Sequence, residues 1–178
     1  MKRQVFGILI ALVLVLSFGF TVPASSSAMP IGVFVDVKPM SCPNPLNVCS
    51  KSVLPVAILG TEDFDVMTVD PASIRLNLVN LIPGDGDGVC PLRWAYEDVA
   101  TPYLADYDGC HTLGADGCMD LVLKFDTPEV AAADLLRHMD GEIVTLRFTG
   151  NLKEEFNGSS IMGEDAIVVI NKMMNHDD

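Results

Sequence analysis

The stretch SIRLNLV, residues 73–79, alternates apolar and polar side chains almost without interruption. Successive side chains of a β-strand point to opposite faces of a sheet, so this alternation predicts a strand with one buried and one solvated face. A similar period or a short β-branched run recurs along the chain, in residues 33–37, 53–59, 120–125, 142–148 and 165–170. Pro55 interrupts one of these runs and predicts an edge strand or a bulge there, because proline has no N–H to donate to a ladder.

One segment departs from this period of two. Residues 126–129, Asp-Thr-Pro-Glu, are typical of a helix N-terminus, with a capping residue, a proline in the first turn and an acid near the positive end of the dipole. Residues 130–139 then predict one short helix, which Asp140-Gly141 ends. Six or seven strands with one helix favour a mostly β fold, an antiparallel β-sandwich of immunoglobulin or cohesin-like type with one short helix.

The first 28 residues have the three parts of a secretory signal peptide. Lys2 and Arg3 give a positive start, residues 6–20 are almost entirely apolar, and Ser26-Ser27-Ala28 offers small residues for cleavage. The apolar run is shorter than the roughly 20 residues that cross a bilayer as a helix, which favours cleavage over anchoring. We therefore expect a signal peptide at 1–28, a single domain at 29–171 and a flexible tail at 172–178. The mature chain is predicted to be secreted or held at the cell surface, with no membrane span.

Acidic residues outnumber basic ones, 24 against 11, which gives a net charge of −13 at pH 7. Loss of Lys2 and Arg3 with the leader would make the mature chain still more negative. Nucleic acids and anionic lipids bind positive surfaces, so this composition argues against both as partners and favours cations. The alternative is that the acids only keep an exported protein soluble.

Five cysteines in an exported chain favour disulfide bonds. An odd number leaves one cysteine over, and spacing alone does not decide the pairing of the others. The simplest arrangement has the local pairs Cys42–Cys49 and Cys110–Cys118, with Cys90 free or bonded to another molecule. Zinc is a weaker alternative, because neither pair has the two-to-four-residue gap typical of two thiolate ligands.

The glycine-rich loop at residues 84–88 is one candidate for a cation site. Asp85 and Asp87 have the alternate spacing by which a loop directs two carboxylates at one calcium ion. An EF-hand would need an acid at its twelfth position, where this chain has Tyr96. Turn chemistry therefore favours the alternative, an exposed flexible loop.

Two aromatic residues could form a sugar-binding surface. Trp94 and Tyr96 are two residues apart, so they would share one face of a strand. Coplanar aromatic rings stack on sugar rings, and the neighbouring Arg93 and Glu97 could bond hydroxyl groups. The alternative is that Trp94 is a core residue of the sandwich, and the exposure of its ring separates the two hypotheses.

Catalytic motifs are few in this chain. The histidines are His111, His138 and His176, and neither a G-x-S-x-G motif nor an H-x-x-x-H spacing occurs. Acids are numerous, so a carboxylate pair of the glycosidase type keeps a secreted hydrolase as an alternative. We predict a non-enzymatic binding or structural module whose partners are other extracellular or surface proteins, or polysaccharide.

Several blocks of the mature chain resemble an uncharacterised module of exported bacterial and archaeal surface proteins. They are VDVKPMSCPNPLNVCSKSVLPVAILGTEDFDVMTVDPASIRL at 35–76, YEDVATPY at 96–103, DGCMDLVLKFDTPEV at 116–130 and GEDAIVVI at 163–170. The resemblance covers most of the mature chain. It implies export and a β-rich fold, but it implies no enzymatic mechanism.

Relatives of that module often have a calcium loop, D-L-N-G-D-G-x-x-D-L, before the strand that matches LVLKF. The matching segment here is residues 112–120, which keeps carboxylates at Asp116 and Asp120 but has Thr112 and Gly114 at the first and third ligand positions. Calcium takes six to eight oxygen ligands, so the two remaining carboxylates would hold it only weakly.

Two acids just upstream could replace the missing ligands. Asp106 and Asp108 would reach the loop if a Cys110–Cys118 disulfide folded it back. A calcium site formed by these two acids with Asp116 and Asp120 is therefore one hypothesis. Turn chemistry favours the alternative, a plain hairpin turn, for which Asp116-Gly117 is a standard dipeptide.

Overall fold

The computed structural model describes residues 28–79, 88–103, 110–131 and 136–172. The strands within these ranges are β1 (Ile31–Gly32), β2 (Val35–Val37), β3 (Pro45–Asn47), β4 (Val53–Ile58), β5 (Val69–Leu78), β6 (Arg93–Glu97), β7 (Asp120–Asp126), β8 (Ile143–Leu152) and β9 (Ser160–Ile170). Helix α1 spans Thr127–Ala131, and short 3-10 helices span Val66–Thr68, Leu136–His138 and Glu154–Phe156. The predicted signal peptide lies outside the described residues, except for its last residue, Ala28.

The strands form two sheets. One has the order β1-β9-β8-β5, with β3 also paired to β9, and the other has the order β2-β4-β7-β6. Strands β1 and β3 run parallel to β9, while the other neighbouring strands are antiparallel. The chain is therefore mostly β with one short helix, as predicted, although its larger sheet is not purely antiparallel.

The two sheets contribute to one hydrophobic core. Phe125 of β7 and Phe148 of β8 meet between them, with ring centroids 5.9 Å apart. Buried side chains from both sheets surround this pair, among them Leu54, Val56, Leu121, Leu146, Ile161 and Ile167. The alternation predicted for 73–79 is confirmed, because Ile74, Leu76 and Leu78 are buried. Two sheets around a shared core form the predicted sandwich.

Strand β4 is not the edge strand that Pro55 predicted. It lies between β2 and β7, and its register with β7 runs without a shift from Val53 to Ile58. The Pro55 carbonyl accepts a hydrogen bond from the backbone N–H of Lys38, the residue that follows β2. The edge of β4 at Pro55 therefore faces the end of β2. Strand β2 already stops at Val37, and Lys38 has a positive φ of 59°. The N–H that proline lacks is therefore not required for a ladder there.

The predicted helix begins close to the expected residue. Helix α1 starts at Thr127, with Glu129 in its first turn and Thr127, Val130 and Ala131 buried. Residues 132–135 lie outside the described residues, and the segment at Leu136–His138 is a 3-10 helix. The continuous α-helix predicted for 130–139 is therefore wrong at its C-terminal end.

Candidate functional site

The first predicted calcium ligand, Asp120, is a buried carboxylate that accepts hydrogen bonds from the backbone. Its side chain is completely buried at the start of β7. One carboxylate oxygen accepts a hydrogen bond from the backbone N–H of Gly60 at 3.0 Å, and the other accepts from Val99 at 2.8 Å and Ala100 at 3.1 Å. Burial raises the pKa of Asp120, and these three N–H donors partly offset that rise. Asp120 thus ties the two loops that flank β7 to the strand.

The second predicted ligand, Asp116, lies in a tight turn. Its Oδ1 accepts a bond from the N–H of Cys118 at 2.8 Å, and Gly117 has a φ of +97°. Asp98, which lies outside the turn, also stabilises it. Its two carboxylate oxygens accept hydrogen bonds from the N–H groups of Asp116 at 3.0 Å and Gly117 at 2.8 Å. Asp116-Gly117 thus lies in a tight turn held by Asp98, but residues 110–119 contain no strand, so this turn does not join two strands as the predicted hairpin turn would.

The remaining predicted ligands cannot be placed. Asp85, Asp87, Asp106 and Asp108 all lie outside the described residues. Among the residues that the structure does describe, no three His, Cys, Asp or Glu side chains form a group that could hold a metal ion. Calcium stays a prediction of the sequence.

The disulfide prediction is wrong in its pairing. The structure bonds Cys42 to Cys110, and neither the Cys42–Cys49 nor the Cys110–Cys118 bond is formed. Pairing of β3 with β9 carries Cys49 to the end of β9, where its thiol donates to the Asn171 side chain at 3.0 Å. Cys118 instead lies beside Gly60, next to β7. Short spacing did not bring Cys42 and Cys49 together, because the strand between them, β3, joins the larger sheet beside β9. Cys90 has a free, exposed thiol.

A buried polar cluster beneath this disulfide was missed by the sequence reasoning. Asp36 of β2 is 1 % exposed, and neither of its carboxylate oxygens has a hydrogen-bond partner among the described residues. His111 follows the disulfide-bonded Cys110, and its ring Nε2 lies 3.9 Å from the Asp36 carboxylate. The other ring nitrogen, Nδ1, accepts from the N–H of Leu113, so the proton of a neutral His111 ring lies on Nε2 and faces Asp36. Tyr103 packs edge-on against the same ring.

A second buried carboxylate joins the two sheets near this cluster. Asp165 of β9 accepts a 2.6 Å bond from the backbone N–H of Val37, which lies at the end of β2 in the other sheet. The same oxygen accepts from the amide of Asn44 at 3.3 Å, and the second oxygen accepts from the N–H of Ala166 at 2.7 Å. Asp165 therefore satisfies the open edge of β2.

Burial controls the charge of this cluster. It raises the pKa of Asp36 to about 7, with smaller contributions from the negative charges of Asp165 and Asp120. Burial likewise raises the pKa of Asp165 to about 6, although its N–H donors oppose the rise. Burial lowers the pKa of His111, so the pair Asp36–His111 favours its neutral form.

A sequence signal for Asp36 did exist. In residues 33–37 the side chains of Phe34 and Asp36 share one face of the strand. Phe34 packs against Ala57, Leu59 and Ala100, so that face is covered rather than solvated. An acid two residues from a large apolar side chain in a strand is the pattern that could have identified it.

The aromatic pair lies on β6, at the edge of the smaller sheet. Trp94 is 46 % exposed, which rules out the alternative that it is a core residue. Tyr96 is partly buried and packs against the core, so Trp94 presents most of the aromatic surface. Leu92, just before the strand, is 55 % exposed and extends the apolar area.

Comparison with protein-family models, with curated proteins and with solved structures gives no match for this chain. The resemblance to exported surface modules accordingly remains a prediction. Within the described ranges, no helix has both the length and the apolar character needed to cross a membrane.

Proposed function

We propose that this chain is an exported, non-enzymatic module that acts at the cell surface or in the extracellular space by binding, and that its binding surface is the outer edge of β6 around Trp94. The exposure of Trp94 carries the proposal. Trp94 and the neighbouring Leu92 together leave an exposed apolar area at the end of the smaller sheet, and Trp is enriched at the centre of binding surfaces.

The roles of the buried acids support a binding module rather than a hydrolase. Asp120 and Asp165 accept backbone N–H bonds, and each holds two parts of the chain together. Asp36, which has no such bonds within the described structure, is covered by His111 and has 1 % of its surface exposed. Asp120 and Asp165 therefore stabilise the sandwich that presents β6.

Export is tested by locating the full chain in its host. We expect the protein outside the cytoplasm, with an intact mass that shows removal of the predicted signal peptide. An uncleaved precursor that stays in the cytoplasm would contradict the exported part of the proposal.

Binding is tested by cosedimentation of the purified protein with isolated cell envelopes. Trp94→Ala should abolish cosedimentation and leave the melting temperature nearly unchanged, because an exposed side chain contributes little to the core. Phe156→Ala is the matched control, since Phe156 is 44 % exposed at a site outside β6. Equal binding by both variants would contradict a role for the Trp94 surface.

Polysaccharide is the second candidate ligand, and the same exposed ring favours it. The exposed Trp94 indole offers a stacking surface for a sugar ring, and Tyr96 lies on the same face of β6. Trp94 is the single tryptophan of the chain, so its fluorescence reports directly on this surface. Titration with soluble polysaccharides should shift its emission and protect it from acrylamide quenching; unchanged emission would eliminate the sugar candidate.

Calcium belongs to this proposal as a stabilising ion of the acidic loops. The net charge of −13 supports it, because an acidic surface attracts cations. Melting should be compared in calcium and in excess chelator, with Asp116→Ala as the diagnostic variant, because both oxygens of Asp120 already accept backbone bonds. A rise of several degrees that the variant loses would support the ion, and identical melts would remove it.

A further inference from the structure

Strand β6 has one free edge among the described residues. It is the last strand in the order β2-β4-β7-β6, and its only described sheet partner is β7. Four of its five residues are exposed, with Tyr96 the exception. An exposed edge strand presents unpaired backbone groups that can pair with another strand.

The charges of β6 face like charges inside their own sheet. Arg93 lies opposite Lys124 of β7, and Glu97 lies opposite Asp120. Like charges directly across a ladder are unfavourable. Among the described residues, neither Arg93 nor Glu97 belongs to the Arg147–Glu164 ion pair or to the Asp36–His111 contact.

The sequence of β6, Arg-Trp-Ala-Tyr-Glu, is complementary to itself when it is reversed. In an antiparallel pair of two β6 strands centred on Ala95, each Arg93 lies opposite Glu97 of the second copy. Each Trp94 lies opposite Tyr96 of the second copy, on the other face. Opposite charges and aromatic pairs are the cross-strand combinations that stabilise antiparallel ladders.

We propose that the partner of the β6 edge is a second copy of this chain, bound through antiparallel β6–β6 pairing about a two-fold axis at Ala95. The two four-stranded sheets then form one continuous sheet across the dimer. This inference rests on the proposed function, since it names the partner of the same surface. A two-fold interface must be self-complementary, and the register of β6 meets that requirement in both charge and side-chain type.

The dimer is expected to be weak and dependent on concentration. A five-residue edge buries less than the roughly 1,000 Å² typical of stable interfaces. The net charge of −13 on each chain also opposes association at long range. The two Arg93–Glu97 pairs supply local attraction where the strands meet.

Charge reversal at the two ends of β6 tests the register by sedimentation equilibrium over a concentration series. Arg93→Glu and Glu97→Arg should each raise the dissociation constant about tenfold, because each variant places like charges opposite one another at both ends. The double variant should restore the wild-type constant. An equimolar mixture of the two single variants should form the heterodimer, since each supplies the charges that the other lacks.

Two variants control for net charge and folding. Lys51→Glu and Glu155→Arg make the same charge changes at exposed positions outside β6 and should dimerise like the wild type. Far-UV circular dichroism checks the fold of each single variant, and the mixture adds an internal control because it restores association without a further substitution.

The outcomes separate this inference from the proposed function. Absence of a dimer, or a dimer indifferent to both charge reversals, would overturn the self-pairing. The proposed function would still stand if the monomer bound envelopes or polysaccharide through Trp94. Loss of envelope binding in Trp94→Ala with no dimer at any concentration would therefore point to a foreign partner, whereas unaltered envelope binding in that variant would overturn the proposed function.

Discussion

At the scale of single residues, Asp120 shows what a buried acid does in this sandwich. Its three backbone bonds hold Gly60 on one side of β7 and residues 99–100 on the other. We expect Asp120→Ala to lower the free energy of unfolding by about 3 kcal/mol, because it leaves buried N–H groups without acceptors. Urea unfolding measures this, with the exposed Asp63→Ala as control. A change equal to that of the control would contradict the structural role.

Asp36 predicts an unusual dependence of stability on pH. Its folded-state pKa is raised to about 7 from the unfolded value of 3.8, so the folded state binds the proton more tightly. The free energy of unfolding should therefore fall as pH rises through that range, and melting temperature should increase from about pH 8 to about pH 6. The raised pKa of Asp165 acts in the same direction, whereas the lowered pKa of His111 acts in the opposite direction at lower pH.

The variant Asp36→Asn separates Asp36 from the other groups. It should flatten the melting profile between about pH 8 and pH 6, because the amide does not ionise. Glu155→Gln removes an exposed carboxylate and should keep the wild-type slope. A slope unaltered by Asp36→Asn would show that Asp36 is not the titrating group.

Sequence reasoning at this scale selected residues that the structure uses, but it did not predict their hydrogen bonds. It selected Asp116 and Asp120 as metal ligands, and the structure shows that both accept backbone hydrogen bonds. A carboxylate at a turn or strand end can serve either purpose, and the direction of nearby N–H groups decides between them. That direction depends on the path of the chain around Gly60 and Val99, which no local pattern encodes.

At the scale of elements, the Cys42–Cys110 bond closes a long loop. Its cysteines are 68 residues apart, so the chain-entropy model gives a stabilisation of about 4 kcal/mol, more than an eight-residue loop would give. Cys42→Ser should lower the melting temperature strongly, while Cys49→Ser and Cys118→Ser should change it little. Peptide mapping without reduction should recover Cys42 joined to Cys110. Recovery of Cys42 joined to Cys49 would contradict the structure.

The elements themselves were largely predictable, while their pairing was not. Alternation in residues 73–79 and 142–148 identified β5 and β8, because a half-buried strand must alternate. The position of β4 was mispredicted because Pro55 marks an edge only where its missing N–H would be needed. That need depends on β2 ending at Val37, which is a tertiary fact.

At the scale of the whole molecule, Asp165 couples the two sheets. Its bond to the N–H of Val37 crosses from β9 to β2, and its bond from Asn44 fixes the segment between β2 and β3. Asp165→Ala should lower the free energy of unfolding by about 2 to 3 kcal/mol. Asp165→Asn keeps one acceptor oxygen and should recover part of the loss. Equal stability of both variants and the wild type in urea would contradict the coupling.

The overall fold followed from the sequence more readily than the functional surface did. A two-sheet core requires only the right apolar period in enough strands, and residues such as Phe125 and Phe148 met that requirement. The exposure of Trp94 depends on whether the larger sheet covers β6, and the sequence does not show this. Spacing placed Trp94 and Tyr96 on one face, but only the packing of the sheets left one ring exposed and the other partly covered.

The parallel pairing of β1 and β3 with β9 has a consequence for biosynthesis. The first and last of the described strands, β1 and β9, are neighbours, so the larger sheet cannot be completed until β9 has been synthesised. Contacts between distant parts of a chain also form slowly. A nascent polypeptide of this topology could therefore pair the strands of its smaller sheet well before β9 leaves the ribosome and completes the larger one.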